Sequence, residues 1–131
     1  MSIANPEWVV NGAPLAIVPN SSKFDEGQPA KNIRAAQVGN TVVQDFSQNM
    51  EEAFSNFSFS LLPTVDNINL VRELQILNNT NLVTCTGTET VLGVEKQLVR
   101  TFNNAAIMNK PEINLGADGE LEVVWRSDAA V

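Results

Sequence analysis

Histidine and tyrosine are both missing from this chain of 131 residues, and cysteine occurs only once. Without histidine the chain lacks the commonest general base, the commonest metal ligand and the Ser-His and Cys-His nucleophile systems. An enzyme built from this sequence would depend on carboxylates or lysine alone. The single cysteine, Cys85, cannot form an internal disulfide, and its apolar strand-like surroundings predict a small buried side chain.

Long apolar runs and ligand-binding motifs are also missing. No apolar stretch approaches the roughly 20 residues that a membrane-spanning helix needs, and we expect no signal peptide at the N-terminus. The sequence has no P-loop, no dinucleotide-binding fingerprint and no calcium-loop spacing. We therefore expect a protein that is not an enzyme, that takes no cofactor or metal, and that does not associate with a membrane.

The charge balance is acidic, with 15 Asp and Glu against 8 Lys and Arg, for a net charge of −7. The basic residues are scattered singly, without a patch in which they alternate with aromatics. Because nucleic-acid binding depends on neutralising phosphates, we do not expect this chain to grip DNA or RNA. Apolar residues make up 44% of the sequence, enough for the core of one domain over residues 1–131.

Alternating apolar residues dominate the chain and predict strands. Phe57, Phe59 and Leu61 alternate with serines, and Leu121, Val123 and Trp125 alternate with polar residues. We expect the serine face to meet water or a polar neighbour. Seven to nine antiparallel strands are predicted, in a β-sandwich or open barrel.

Turn signals divide these strands. Asn11-Gly12 predicts a two-residue hairpin turn, after which Pro14 either places the second strand at a sheet edge or delays its start. A turn is also predicted over residues 87–90, followed by a strand over 91–102. A final hairpin is predicted between residues 110–115 and 120–126, around Asp118-Gly119.

One segment has helical periodicity. Val65, Ile68, Val71 and Leu74 recur three residues apart, with Leu77 continuing the row, which predicts a helix over about residues 64–78. Thr64 or Asp66 can cap its N-terminus, and the asparagines that follow can close its C-terminus. We expect this helix to flank a mainly β domain.

A polar loop over residues 19–32 and a weakly apolar hairpin over residues 33–46 precede these elements. Fourteen residues without periodicity form a long connection, and such loops tend to be functional. Phe24 is the one large apolar residue in the loop. It can pack back onto its own domain or anchor a neighbouring molecule, and the sequence leaves both open.

The layout of the chain resembles that of the tail tube proteins of tailed bacteriophages. The detailed likeness lies in residues 109–122, which read Asn-Lys-Pro-Glu-Ile-Asn-Leu-Gly-Ala-Asp-Gly-Glu-Leu-Glu. Many tail tube proteins carry Asn-x-Pro-Glu-x-x-x-Ser-Ala-Asp-Gly before the last strand. Gly116 stands here where serine is usual.

The resemblance implies a structural virion protein with a β-sandwich and a flanking helix, made in the host cytoplasm. It implies hexameric rings stacked into a hollow tube that conducts DNA during ejection without binding it specifically. Tail sheath, tape measure, baseplate and terminator proteins are the further partners it implies. Type VI secretion and pyocin tubes share this architecture.

In the family the long loop and the hairpin reach the adjacent ring, and the strand-built inner wall is commonly acidic. On the resemblance we expect the carboxylates of Glu120 and Glu122 to face the lumen. The residues expected to form contacts between subunits or rings are Phe24, Asp25, Arg34, Val42, Val43 and Phe46.

Two other classes of function stay open on the sequence. One is a tail terminator, a tube initiator or a secretion-system tube component, proteins of similar fold that cap or form other tubes. The other is a small carbohydrate-binding β-sandwich, in which Trp8 or Trp125 would stack on a sugar ring.

Overall fold

The computed structural model describes residues 3–27, 32–39, 41–47, 54–116 and 118–131. These residues form nine strands and one α-helix, which confirms the predicted mainly β class. The strands are β1 (Ala4–Val10), β2 (Ala13–Leu15), β3 (Lys23–Asp25), β4 (Asn32–Val38), β5 (Thr41–Ser47), β6 (Ser55–Leu61), β7 (Asn81–Val91), β8 (Val94–Ile107) and β9 (Leu121–Ser127). The helix α1 covers Val65–Ile76, between β6 and β7.

Seven of the strands form one antiparallel sheet in the order β2-β1-β7-β8-β9-β6-β3, while β4 and β5 pair only with each other. The sheet folds over on itself. Trp8 on β1 and Phe57 on β6 lie four strands apart, which is about 19 Å in a flat sheet, yet their rings stack with centroids 5.1 Å apart. The two edge strands, β2 and β3, do not pair with each other, so the sheet does not close into a barrel.

Aromatic rings from both halves of the folded sheet meet in the core. The rings of Trp8, Phe57, Phe59, Phe102 and Trp125 are all buried, and Phe57 lies 4.4 Å from Phe102 and 5.5 Å from Trp125 between ring centroids. Such pairs add to the free energy gained by burying apolar area. The predicted apolar faces of β6 and β9 are therefore confirmed.

The predicted exposure of the serine face of β6 is wrong. Ser58 and Ser60 are 5% and 7% exposed. The preceding loop covers them, because the Val18 amide donates to the Ser60 carbonyl oxygen at 2.9 Å and the Ser60 amide donates to Ser21 Oγ at 3.1 Å. The hydroxyl-rich face thus meets a segment of its own chain instead of water or a neighbour.

The first hairpin turn is confirmed and the turn at residues 87–90 is wrong. Asn11 and Gly12 have φ of 51° and 85°, as a two-residue hairpin requires. Residues 87–90 continue β7, where they pair with β8. The chain turns instead at Leu92 and Gly93, whose φ values are 52° and 79°.

Helix α1 begins and ends close to the predicted limits. Thr64 Oγ1 caps it by accepting from the Asn67 amide at 3.2 Å, and Asn78 adopts a left-handed φ of 54° beyond its end. Its predicted apolar stripe is only partly buried. Val71 and Leu74 are buried, whereas Val65 is 74% exposed and Leu77 is 46% exposed.

The predicted strand over residues 110–115 is wrong, because residues 108–116 and 118–120 contain no strand. The side chain of Asn109 takes its place beside β9. Its Nδ2 donates to the Glu122 carbonyl oxygen at 2.8 Å, and its Oδ1 accepts from the Val124 amide at 3.0 Å. One asparagine thereby satisfies backbone groups that a paired strand would otherwise satisfy.

The amide of Asn81, which is fully buried, joins three parts of the fold. Its Nδ2 donates to the carbonyl oxygens of Leu74 in α1, Asn78 after α1 and Ala105 in β8, at 3.1–3.2 Å. Its Oδ1 accepts from Asn11 Nδ2 at 2.9 Å, in the first hairpin turn. Every polar atom of this buried side chain therefore has a partner.

We expect Asn81→Ala to lower the free energy of unfolding by about 2–4 kcal/mol, because it removes the side-chain donor from the carbonyl oxygens of Leu74 and Ala105, to which the bonds are buried. Urea denaturation monitored by tryptophan fluorescence measures the change. Asn79→Ala is the matched control, since Asn79 is exposed, and it should shift stability by less than about 0.5 kcal/mol. Equal effects of the two substitutions would contradict the role of Asn81.

Candidate functional site: surfaces for assembly

The hairpin of β4 and β5 has two unpaired outer edges. Its seven residue pairs run from Asn32 opposite Ser47 to Val38 opposite Thr41. In the described part of the chain, neither strand is hydrogen-bonded to the seven-stranded sheet. An isolated two-stranded hairpin is marginally stable in water, so it gains from pairing with a further strand. The predicted contact residues pair within it: Arg34 with Asp45, Val42 with Gln37, Val43 with Ala36 and Phe46 with Ile33.

The two end strands of the large sheet are protected against such pairing. Strands β2 and β3 have three residues each, and β2 contains Pro14. Strand β1, which lies next to β2, contains Pro6. Proline has no amide hydrogen to donate, and short edge strands offer few unpaired groups. Strands β4 and β5 have seven residues each and no proline, and each leaves its whole outer edge without a partner in the described part of the chain. Residues 94–100 of β8 also leave one edge unpaired, because β8 pairs with β9 only at Ala106 and Ile107.

Phe24 and Asp25 lie on β3, within the segment predicted to be a loop over residues 19–32. That prediction is wrong for residues 23–25, and residues 28–31 lie outside the described residues. The half-buried ring of Phe24 meets Phe102 edge-on with centroids 5.9 Å apart, so it packs on its own domain. Asp25 is exposed, and its Oδ1 accepts from the Gly27 amide at 2.9 Å. A contact of either residue with a neighbouring subunit stays a prediction.

Glu120 and Glu122 are both exposed and line the same open, polar cleft of about 580 Å³. The loop over residues 18–23 forms its other wall, and Ser58 and Ser60 also line it. Lys23 lies in the cleft too and offsets part of the negative charge. The structure thus brings the two predicted carboxylates together, and their orientation towards a lumen stays a prediction.

An apolar groove of about 350 Å³, not predicted from the sequence, separates α1 from the segment that follows β8. Two exposed cations flank it, Arg72 on the helix and Lys110 on the segment. Neither cation forms an ion pair with any residue that the structure describes. The groove is lined by Ile68, Val71, Arg72, Gln75, Lys110, Pro111, Ile113 and Leu121.

The tip of the β7–β8 hairpin was also missed by the sequence analysis. Leu92 is 97% exposed and has a φ of 52°, a left-handed conformation that costs a leucine about 1–2 kcal/mol. Val94 beside it is 58% exposed. The Leu92-Gly93 pair is the sequence signal for this turn, but the apolar run around it reads as a continuous strand.

Other kinds of site find little support in the described ranges. No group of three or more His, Cys, Asp or Glu residues there could hold a metal ion. No helix in those ranges is long and apolar enough to cross a membrane. Trp8 and Trp125 are both fully buried, so neither can stack on a sugar ring as the carbohydrate-binding hypothesis requires.

No protein-family model and no curated protein matches the chain.

Cys85 lies opposite Trp8 in the β1–β7 register and is 3% exposed, which confirms that it is buried. Burial raises the pKa of its thiol to about 11. Because the thiolate is the reactive form, only about one thiol in a thousand is deprotonated at pH 8. We expect a disulfide reagent to label Cys85 at least a hundredfold more slowly in the native protein than in urea. Equal rates would contradict its burial.

Proposed function

We propose that this chain is the subunit of a hollow bacteriophage tail tube, in which hexameric rings stack and conduct DNA. The observation that carries the proposal is the β4–β5 hairpin. It offers two seven-residue edges without a partner in the described part of the chain, whereas the end strands β2 and β3 of the large sheet have three residues each. A monomer with such edges is prone to aggregate, whereas a closed ring satisfies them.

A ring needs contacts between unlike surfaces, and the two different edges of the hairpin allow them. One edge belongs to β4 and the other to β5, so a contact that uses β4 of one subunit and a different surface of its neighbour is heterologous. Heterologous contacts repeat around an axis and close when the rotation permits. In this proposal the hairpin extends a strand-built surface in the neighbouring subunit, and the backbone hydrogen bonds supply the affinity.

The charge of the chain suits a conduit for DNA. A net charge of −7 on each subunit, repeated around and along a tube, gives a field that repels phosphates if carboxylates line the bore. DNA can then slide without sticking, since no counterions are released by contact with basic residues. Glu120 and Glu122 are exposed carboxylates on one surface and are our candidates for the bore.

Proline scanning of β5 tests this proposal. We expect Val42→Pro and Val43→Pro to abolish assembly. At one of these two neighbouring positions the amide points away from β4, so the substitution there blocks pairing with a neighbour and spares the hairpin. Val42→Thr and Val43→Thr are the controls, because they keep the amide and a β-branched side chain. Thermal unfolding of the large sheet should be unchanged in all four variants.

Negative-stain electron microscopy over a concentration series gives the readout. Wild type and both threonine variants should form rings or hollow filaments with sixfold end views, and the proline variants should not. Single rings that never stack would favour a terminator or initiator. A wild-type protein that remains monomeric at every concentration would overturn the tube proposal.

A further inference from the structure

Leu92 combines strain and exposure at a single position. The turn between β7 and β8 needs two residues with positive φ, for which asparagine followed by glycine is the favoured pair. The chain places leucine there, at a φ of 52° and with 97% of its surface exposed. The strained backbone and the exposed apolar side chain both destabilise the isolated molecule. This combination suggests that the leucine side chain contacts another molecule.

The groove beside α1 has the opposite character. Its floor is apolar, formed by side chains such as Val71 and Leu121, and its volume of about 350 Å³ exceeds what one leucine side chain needs. The segment over residues 110–115 that forms one wall makes no backbone hydrogen bond. Gln75 Nε2 donates to the Asn109 carbonyl oxygen at 3.1 Å and holds the start of that segment against the helix.

The charges around the tip and the groove are complementary. Glu89 and Glu95 flank Leu92, and Lys96 lies opposite Glu89, so the tip keeps one net negative charge. The groove is flanked by the cations Arg72 and Lys110. Glu73 directly follows Arg72 and Glu112 lies two residues after Lys110, but neither carboxylate lines the groove.

The tip and the groove lie at opposite ends of β7, so they cannot meet within one molecule. Asn81, at the start of β7, donates to the Leu74 carbonyl oxygen of α1. Ten residues later β7 ends at Val91, which places the tip about 30 Å away at the rise of a strand. A contact between tip and groove therefore joins two copies head to tail.

We propose that Leu92 of one copy inserts into the groove between α1 and residues 110–113 of the next copy. This contact rests on the proposed function. In a tube it would join one ring to the ring stacked on it. The occupant is a second copy of this chain because the exposed apolar side chain, the groove and the opposite charges all belong to the same sequence. Such a heterologous contact adds copies along one direction.

Leu92→Asn tests the contact without endangering the fold. Asparagine tolerates the left-handed conformation better than leucine, so thermal unfolding of the variant should occur at the same or a higher temperature. We expect association between rings, or between monomers if no ring forms, to weaken at least tenfold in sedimentation velocity. Unchanged association would overturn the contact. Leu62→Asn, which removes another exposed leucine, is the control and should associate as wild type does.

Cross-linking of mixed variants that each gain one exposed cysteine tests the pairing directly. A Leu92→Cys variant mixed with an Ile113→Cys variant should form a disulfide-linked dimer under mild oxidation, because Ile113 lines the groove. Leu92→Cys mixed with Ile76→Cys is the control, since Ile76 is exposed on the same helix outside the groove. Buried Cys85 does not interfere. An absence of cross-links specific to Ile113 would overturn the proposal.

The two readouts separate this contact from the tube proposal. If wild-type rings stack, the Leu92→Asn rings stack equally well and no specific cross-link forms, the contact is wrong and the tube proposal stands. If the specific cross-link forms and wild type makes only linear chains of monomers, the contact is right and the tube proposal is wrong.

Discussion

The hydrogen bonds of Asn81 are the constraint on which the arrangement of this domain depends. One buried amide at the start of β7 binds the end of α1, the bulged part of β8 and the first hairpin turn. Leaving this buried amide without partners would cost more free energy than its hydrogen bonds contribute. The positions of the four elements are therefore coupled to one another. The position of α1 over the sheet, and hence the groove at its side, follows from that arrangement.

The second constraint is that some strand edges are protected against pairing with another strand and others are not. The large sheet folds until rings from β1 and β6 stack, and its end strands β2 and β3 are short, with a proline in β2. The hairpin of β4 and β5 has neither protection. Short edge strands and prolines are the usual features that prevent unwanted strand pairing. A hairpin that lacks them suggests that it pairs with another molecule. The mainly β fold alone is compatible with many functions, and this contrast is what narrows them.

The predictions from sequence succeeded where the signal was local. The Asn11-Gly12 turn, the cap at Thr64 and the alternation of Phe57, Phe59 and Leu61 each depend on a few neighbouring residues. They failed where contacts between distant parts of the chain determine burial or secondary structure. Ser58 and Ser60 are buried by a loop some forty residues earlier in the chain, and residues 110–115 are not a strand because Asn109 already satisfies the edge of β9.

The separation of Leu92 from the groove along β7 has a consequence for how an assembly grows. If each copy seats its tip in the groove of the next, every filament is polar: its first layer presents only empty grooves and its last layer only free tips. The two ends are then chemically different, one an apolar recess flanked by cations and the other a ring of exposed leucines with acidic neighbours. Initiation and termination would accordingly require two unlike capping surfaces, and elongation would have a built-in direction.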